Sequence, residues 1–247
     1  MKRFLFGVWY LPIFAVCTIL AGLFCLAVSL FSKNLVRRIT SGGWALIVLD
    51  PARIKVEVVS GQENLPAPDS GGYIIFANHR SLLDIPTVAR ATGRSISWVA
   101  KAALGRIPVF GWTLKRAHML VDRGGSPESA RQMVTEAAAR LSAGEIMAIF
   151  PEGTRNSTDA PLLPFKKGAF ILAKHTGVPL VPLAIRHSGS LWPRGKFVPS
   201  SGVIKVAIGQ PIKPEKNHSL HNLAGEAQKT LEALYLSLDD SSAPPAN

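Results

Sequence analysis

The sequence predicts an α/β fold with a mixed, largely parallel central sheet flanked by helices, preceded by an N-terminal membrane-anchoring helical segment. Three observations predict this fold. An apolar run without any charged side chain covers residues 4–31. After residue 53, short β-branched and aromatic runs alternate with longer helical patterns, an order typical of α/β units. Polar side chains follow several of the short runs, at the strand ends where an open α/β sheet places its ligand crevice.

The N-terminal run is long enough to cross a membrane as a helix. At about 1.5 Å per residue, residues 4–31 exceed the ~30 Å thickness of the hydrocarbon layer. A secretory signal peptide has a shorter apolar core, so the run is predicted to be an uncleaved anchor. Pro12 and Gly22 leave room for a kink, or for a helix pair that dips into the bilayer without crossing it.

Basic residues flank both ends of this run, at Lys2, Arg3, Lys33, Arg37 and Arg38. Their bias is slight and favours the cell inner membrane, with the main domain facing the cytoplasm. Trp44 and residues 45–49 form a candidate second interfacial segment. The anchoring unit is predicted to cover residues 1–50.

The charge of the chain limits the class of partner that it can bind. Lys and Arg number 28 against 16 Asp and Glu, which gives a formal charge of +12 and favours an anionic partner. Nucleic acid is not predicted, because a membrane segment is present and the chain lacks a basic stripe with interleaved aromatic residues.

Both cysteines, Cys17 and Cys25, lie in the apolar run, and the six histidines form no ligand cluster. We therefore predict neither a disulfide framework nor a metal site.

The first half of the α/β unit is predicted from short apolar patterns. Residues 54–59 alternate between apolar and polar, which is typical of a half-buried strand, and residues 73–77 are continuously apolar, which is typical of a buried one. A helix is predicted to end near Thr92. A loop with two glycines and a proline is predicted over residues 105–111. Further strands are predicted at residues 96–100 and 119–121.

The second half contains the longer helices. Residues 126–144 begin with Ser-Pro-Glu, which supplies a cap, a proline at the first position and an acid in the first turn. Residues 166–176 form a predicted helix that a glycine stops, and residues 220–238 have helical periodicity. Strands are predicted at residues 146–150, 180–185 and 203–208.

An apolar stretch at residues 178–185 carries two prolines, which favour an edge strand or an irregular stretch. It is predicted to be plain core, with the wall of an acyl groove as the alternative. The whole α/β unit is predicted to occupy residues 51–238. The polar, Pro-containing residues 239–247 are predicted to be a disordered tail.

The heptapeptide from Asn78 to Asp84 is the first candidate for chemistry. It follows a predicted buried strand, and the imidazole of His79 can take up a proton near pH 7. Asp84 can hold that imidazole in one tautomer and stabilise its charged form. The same residues also fit a helix N-terminal box, in which Ser81 is a cap and Asp84 is the first-turn acid. The heptapeptide alone does not separate these interpretations.

The turn at residues 150–155 is the second candidate. Arg155 offers a rigid fork for a phosphate or carboxylate, and Thr154 adds a neutral donor. A tight turn with a solvated arginine is the plainer alternative. Lys101 and Arg123 also follow predicted strands, so a parallel sheet would bring both to the edge that carries the heptapeptide.

With these stretches side by side, the chain resembles the PlsC-type 1-acyl-sn-glycerol-3-phosphate acyltransferases, also called lysophosphatidic acid acyltransferases. The resemblance covers residues 73–185 and rests on four blocks in order. They are the NHxxxxD block at 78–84, the region 101–123 that ends at an arginine, the FPEGTR block at 150–155 and the Val-Pro-Leu stretch at 181–183.

The resemblance implies a membrane-bound enzyme that moves a fatty acyl group from an acyl thioester to the sn-2 hydroxyl of lysophosphatidic acid. The product would be phosphatidic acid for phospholipid biosynthesis, and the donor acyl-CoA or acyl carrier protein. His79 would be the general base and Asp84 would orient it. The implied phosphate-binding residues are Lys101, Arg123, Glu152, Gly153, Thr154 and Arg155. Asn78, Val181 and Pro182 would support the site or line the acyl groove, and neither cofactor nor metal is implied.

Two alternatives remain open. The acyl acceptor could be glycerol-3-phosphate, another lysophospholipid or a lyso-ornithine lipid. The chain could also be a non-catalytic, membrane-tethered binder of anionic lipid, although the intact pair of His79 and Asp84 favours an enzyme.

Overall fold

A computed structural model describes residues 2–121, 126–215 and 217–238. Within them, the central layer is a seven-stranded sheet whose strands lie in the order β1-β7-β6-β2-β5-β3-β4. In chain order these are β1 (Ile54–Ser60), β2 (Tyr73–Ala77), β3 (Ile96–Lys101), β4 (Met119–Val121), β5 (Ile146–Ile149), β6 (Leu180–Arg186) and β7 (Gly202–Ile208). Every neighbouring pair is parallel except β6 and β7, which are antiparallel. The mixed, largely parallel sheet predicted from the sequence is confirmed.

Helices cover both faces of this sheet. They are α1 (Lys2–Val28), α2 (Lys33–Arg38), α3 (Trp44–Leu49), α4 (Asp84–Thr92), α5 (Phe110–Ala117), α6 (Pro127–Ser142), α7 (Gly168–Thr176), α8 (Ser188–Leu191) and α9 (Leu220–Ser237). The serine cap predicted before α6 and the glycine predicted to end α7 are both present. The Ser126 hydroxyl accepts a hydrogen bond from the Ser129 amide at 3.3 Å, and α7 ends at Gly177, whose φ of +73° suits glycine.

Two hydrophobic clusters divide the core between the faces. Side chains alternate across β2, so that Tyr73, Ile75 and Ala77 point into one cluster while Ile74 and Phe76 point into the other. The first cluster also receives residues of α1, α3 and α4, and the second receives residues of α6, α7 and α9. All five side chains of β2 are buried, because this strand lies in the middle of the sheet.

Two sequence-based expectations need correction. β6 is an interior strand between β7 and β2, although its prolines favoured an edge or an irregular stretch, and its burial agrees with the prediction of plain core. The missing amide of Pro182 is tolerated because regular pairing with β7 stops at Leu183; beyond it the Pro182 carbonyl still accepts from the Gly209 amide. Residues 105–111 were expected to be a loop, whereas a short 3₁₀ turn ends at Arg106 and α5 begins at Phe110.

The N-terminal segment packs against the α/β unit. Within the described residues, the stretch Tyr10–Val28 of α1 is long and apolar enough to cross a membrane. The Tyr10 hydroxyl donates to the Val48 carbonyl at 3.2 Å, and Gly22 lets α1 approach Val109 closely. In the candidate interfacial segment, α3 buries three of its side chains and exposes Leu46.

The parallel pairing of β2, β5, β3 and β4 places their carboxyl ends on one edge of the sheet. We call this the carboxyl edge. The heptapeptide follows β2, the FPEGTR turn follows β5 and Lys101 ends β3, so all three lie at this edge. The expected convergence of strand-terminal polar residues is therefore present for the described residues.

Candidate active site

The heptapeptide folds so that His79 and Asp84 face each other. The His79 Nδ1 lies 2.8 Å from the Asp84 Oδ2. Asp84 is fully buried at the start of α4, and its Oδ2 also accepts hydrogen bonds from the amides of Arg80 (2.6 Å) and Ser81 (2.7 Å). A carboxylate held by amides accepts from the imidazole, so Nδ1 carries the proton and Nε2 keeps a free lone pair. The arrangement therefore makes Nε2 the proton-accepting atom.

Both sequence-based interpretations of this segment contain part of the answer. Asp84 is the first-turn acid of α4, as a helix box requires, but the residue directly before the helix is Leu83. The Ser81 hydroxyl accepts weakly from the Leu83 amide (3.3 Å) and donates to the Trp192 carbonyl (2.9 Å). The same carboxylate thus starts the helix and holds the imidazole.

Asn78 ties the heptapeptide to the sheet. Its side-chain nitrogen donates to the Ile185 carbonyl at 2.9 Å, and its side-chain oxygen accepts from the Ile185 amide at 2.7 Å. Asn78 is fully buried, so these bonds satisfy groups that water cannot reach. They extend the pairing of β2 with β6 by one side chain and fix where the catalytic loop leaves the sheet.

The FPEGTR turn directs the Glu152 side chain inward, where it contacts the backbone of His79. Pro151 at the second position and Gly153 at the fourth, with φ of +72°, form a tight turn closed by the Gly153 amide on the Phe150 carbonyl. Glu152 is 2% exposed. Its Oε1 accepts from the His79 amide (2.7 Å) and its Oε2 from the Leu163 amide (2.8 Å).

The electrostatics of Glu152 follow from this position. Burial raises the pKa of the Glu152 carboxyl above its ordinary value, and the two amide donors and His79 oppose that rise. Next to it, the Asn156 amide donates to the His79 carbonyl at 2.6 Å. The backbone of His79 is therefore held at both its amide and its carbonyl by the turn that follows β5.

An aromatic stack fixes the plane of the imidazole. The His79 and Phe150 rings are stacked, with centroids 4.1 Å apart and planes 13° apart, and Trp98 stacks on the other side of Phe150 at 6.0 Å. Sequence reasoning missed this stack. A signal existed in the aromatic residue at the end of β5, but only the sheet order brings it beside β2.

Two of the predicted cations, Lys101 and Arg155, lie around the carboxyl edge. Lys101 is exposed at the end of β3, and Arg155 is half-buried in the turn after β5. Among the described residues, Arg155 makes neither a hydrogen bond nor an ion pair with protein groups, which leaves its donors for a ligand. Arg123 lies outside the described residues.

A cavity of about 700 Å³ adjoins the turn. Gly153, Thr154 and Lys166 stand among its polar lining, and its walls include apolar side chains of β3, β4, α6 and α7. Val181 and Pro182, the predicted acyl-groove residues, are buried inside the sheet. That prediction stays untested, and the described cavity lies beside the FPEGTR turn.

Within the described ranges, three or more His, Cys, Asp or Glu side chains do not come together in a way that could hold a metal ion. The polar groups of the site are an imidazole–carboxylate pair, two sets of hydrogen bonds to the His79 backbone, and cations of which one is exposed and one half-buried. Such a set can move one proton and bind an anion.

Comparison with known proteins gives a consistent result. Residues 56–186 match the sequence profile of the Acyltransferase family. The chain is 35% identical over 174 residues to the chloroplastic 1-acyl-sn-glycerol-3-phosphate acyltransferase BAT2 of Brassica napus, covering 70% of this chain and 49% of the relative. It is also 35% identical over 157 residues to the 1-acyl-sn-glycerol-3-phosphate acyltransferase of Bacillus subtilis, covering 62% of this chain and 72% of that relative.

The chain spans about half the length of the plant relatives it matches. Among solved structures, the 1-acyl-sn-glycerophosphate acyltransferase PlsC from Thermotoga maritima superposes with a TM-score of 0.75 at 23% identity. The match covers 96% of this chain and 97% of that one. This likeness shows that the two chains share a fold over nearly their whole length.

Proposed function

Since the chain belongs to the acyltransferase family of 1-acyl-sn-glycerol-3-phosphate acyltransferases, we propose that it transfers a fatty acyl group from an acyl thioester to the sn-2 hydroxyl of lysophosphatidic acid. The product is phosphatidic acid. The observation that carries the proposal is the His79–Asp84 pair at the carboxyl edge, clamped to the FPEGTR turn that presents Arg155.

The proposed reaction needs one base. The Nε2 of His79 takes the proton of the acceptor hydroxyl while the oxygen attacks the thioester carbonyl, forming a tetrahedral intermediate. The carbon–sulfur bond then breaks, and the leaving thiolate takes up the proton that His79 holds. Asp84 stabilises the imidazolium between these two steps. Each turnover therefore returns His79 to its neutral tautomer.

Phosphate binding positions the acceptor. Arg155 with Thr154, helped by Lys101 and Arg123, is proposed to grip the phosphate of lysophosphatidic acid at the carboxyl edge. An acceptor fixed at its phosphate has its hydroxyl confined near His79, which lowers the barrier by removing positional freedom. Glu152 is proposed to hold the backbone of His79 and not the phosphate, which the resemblance implied. Both of its carboxylate oxygens already accept hydrogen bonds from backbone amides.

Substrate and donor both suit a basic protein at a membrane. The apolar α1 is proposed to anchor the chain in the cell inner membrane, with the α/β unit facing the cytoplasm. Acyl-CoA and acyl carrier protein are the proposed donors, and both are acidic. The excess of Lys and Arg draws such donors to the surface.

A panel of acceptors and donors tests the proposal. The full chain in vesicles would be given lysophosphatidic acid, glycerol-3-phosphate, lysophosphatidylcholine or a lyso-ornithine lipid, each with acyl-CoA or acyl carrier protein. We expect the highest kcat/KM with lysophosphatidic acid, and none for the control variant His79→Ala. Faster transfer to another acceptor would reject lysophosphatidic acid as the acceptor. Wild-type turnover by His79→Ala would reject His79 as the base.

A further inference from the structure

A short loop beside the active site is locked in one conformation. Residues 192–199, called here the 192–199 loop, follow α8. The Trp192 indole donates to the Lys196 carbonyl at 2.8 Å, and the Lys196 amide donates to the Pro193 carbonyl at 3.2 Å. Gly195 has φ of +85°, as the third residue of a tight turn often does. Pro193 and Pro199 restrict the backbone further.

This rigid loop presents an aromatic ring to the outside. Phe197 is 82% exposed, more than any other large apolar side chain described beyond residue 50. Arg194 and Lys196, close to it in the chain, are exposed as well. The hydrogen bonds that close the turn end at Lys196, so Phe197 is the first residue after it. A single exposed apolar residue is ordinary, but Phe197 directly follows a hydrogen-bonded turn that also exposes two cations.

The loop lies on the same face of the sheet as α1. Trp192 and Val198 pack against the hydrophobic cluster that contains Tyr10 and has Phe14 packed on it. The Ser81 hydroxyl joins the loop to the catalytic heptapeptide through the Trp192 carbonyl. α1 also exposes large apolar side chains, including Ile13, Leu20 and Phe24.

We propose that the 192–199 loop is a second membrane contact, which inserts Phe197 at the interface of an anionic bilayer while Arg194 and Lys196 lie among the lipid phosphates. Aromatic rings favour this interfacial layer, and cations beside them are attracted to anionic lipid. Together with α1, the loop gives the protein two contacts with the bilayer. Two contacts fix the tilt of the carboxyl edge relative to the bilayer. With α1 as the single contact, the α/β unit would be free to rotate.

This inference rests on the proposed membrane location of the chain, but not on the proposed reaction. Its consequence for the reaction is positional. A loop hydrogen-bonded to the residue two places after His79 holds the catalytic edge next to the lipid from which the acceptor comes.

A fluorescent label reports on this contact without any need for turnover. The full chain, with Cys17→Ser and Cys25→Ala, would carry Phe197→Cys labelled with the dye NBD. The matched control is Leu236→Cys, because Leu236 is 47% exposed on α9, which packs on the opposite face. Both proteins would be placed in phosphatidylcholine vesicles with and without phosphatidylglycerol, and with lipids brominated along their acyl chains.

We expect a blue-shifted emission at position 197, quenched by brominated lipid roughly twofold more than at position 236, as interfacial insertion predicts. Lys196→Glu should reduce the quenching at 197 only in vesicles that contain phosphatidylglycerol, while the control Lys229→Glu on α9 should not. Equal quenching at both positions would overturn the inference. A blue shift without lipid quenching would also overturn it, because it would indicate contact with protein.

The same preparation separates the two proposals. A labelled protein that is quenched by lipid at position 197 but transfers no acyl group to any acceptor would refute the proposed function alone. Active protein whose position 197 stays as water-exposed as position 236 would refute the second membrane contact alone.

Discussion

Four neighbours hold His79, and they come from two parts of the chain, the heptapeptide itself and the turn after β5. Asp84 bonds its Nδ1, Phe150 stacks on its ring, Glu152 accepts from its amide and Asn156 donates to its carbonyl. In the proposed reaction, a base whose ring and backbone are already fixed needs little reorganisation when it takes up a proton. Three of the four contacts come from outside the heptapeptide, so the segment by itself cannot make them.

Replacing Asp84 tests the orientation of the imidazole. Asp84→Asn keeps the size of the side chain but offers an amide that can favour the wrong tautomer of His79. We expect kcat to fall roughly 10³- to 10⁴-fold, with little change in the KM for lysophosphatidic acid. Steady-state kinetics on vesicles measure both constants. A kcat near that of the wild type would show that Asp84 serves α4 and not the imidazole.

Glu152 and Arg155 lie close in sequence but have different predicted roles. Glu152→Gln replaces one carboxylate oxygen by an amide nitrogen. A donor then faces one of the two backbone amides that donate to this side chain. We expect it to lower kcat about 10- to 100-fold by loosening His79, with the KM for lysophosphatidic acid nearly unchanged. A large rise in that KM would instead restore the phosphate-binding role implied by resemblance.

Arg155→Ala is predicted to act on binding. Losing a charged donor to phosphate corresponds to about 1.5–3 kcal/mol, so the KM for lysophosphatidic acid should rise about 10- to 100-fold. The KM for the acyl donor should stay within about twofold of the wild-type value. Lys229→Ala on α9 is the control for the loss of a positive charge. Equal effects on acceptor and donor would argue against a phosphate role for Arg155.

Between elements, the crossing of α1 and α5 depends on a glycine. A Cβ on Gly22 would lie 2.6 Å from the Val109 Cγ1, and the Thr113 hydroxyl donates to the Gly22 carbonyl at 3.2 Å. Val109 itself has φ of +61°, which is uncommon for a β-branched residue. The contact therefore leaves the valine little freedom to move aside.

Gly22→Ala should consequently destabilise the protein, even though alanine is the better helix former. We expect a loss of about 1–3 kcal/mol in the free energy of unfolding, from overpacking against α5. Gly225→Ala in α9 is the matched control, since its Cβ meets no atom within 4 Å, and it should stabilise by about 0.5–1 kcal/mol. Denaturant unfolding measures both, and a stabilising Gly22→Ala would contradict the close packing.

The elements whose bounds were found from sequence had a clear local pattern, which was a continuous apolar run, a capped helix start or helical periodicity. β2 was predicted with its observed bounds, and α6 and α9 were within two residues at each end. α5 was missed because its sequence is short and contains a glycine, and because its position depends on α1 and on the turn before it. The burial of β6 was predicted, but its interior place was not, because the pairing of a proline-containing strand depends on where its neighbour ends.

Across the whole molecule, His118 joins the N-terminal segment to the sheet. Its Nδ1 accepts from the Trp98 amide at 3.3 Å, so its Nε2 carries the proton toward the Thr40 hydroxyl at 3.1 Å. Burial, reinforced by the charges of Arg37 and Arg140, lowers the pKa of His118 to about 3. The folded protein therefore keeps this imidazole neutral, while in the unfolded chain the imidazole takes up a proton at the ordinary histidine pKa.

Acid should weaken the fold through His118. A base whose pKa is lower in the folded state stabilises the fold above its unfolded pKa near 6.5, and this stability is lost as the pH falls toward 3. The slope is about 1.4 kcal/mol per pH unit, so stability should drop by about 1 kcal/mol between pH 7 and pH 5.5. His118→Gln should flatten this dependence in urea unfolding. An unchanged slope in the variant would assign the acid sensitivity to other groups.

The sequence by itself determined the local and chemical parts of this protein. Hydrophobic periodicity predicted the strands and most of the helices, and residue chemistry selected His79, Asp84 and Arg155. These are properties of neighbouring residues, which the order of the chain fixes directly.

Only the tertiary structure decided which groups meet. It placed Phe150 on the imidazole, turned Glu152 toward the His79 amide and set the 192–199 loop on the same face as α1. Such contacts join residues far apart in the chain, and they form because the parallel order of the strands brings separate turns to one edge. The energy that selects them comes from burying the whole sheet, so no single segment of sequence contains it.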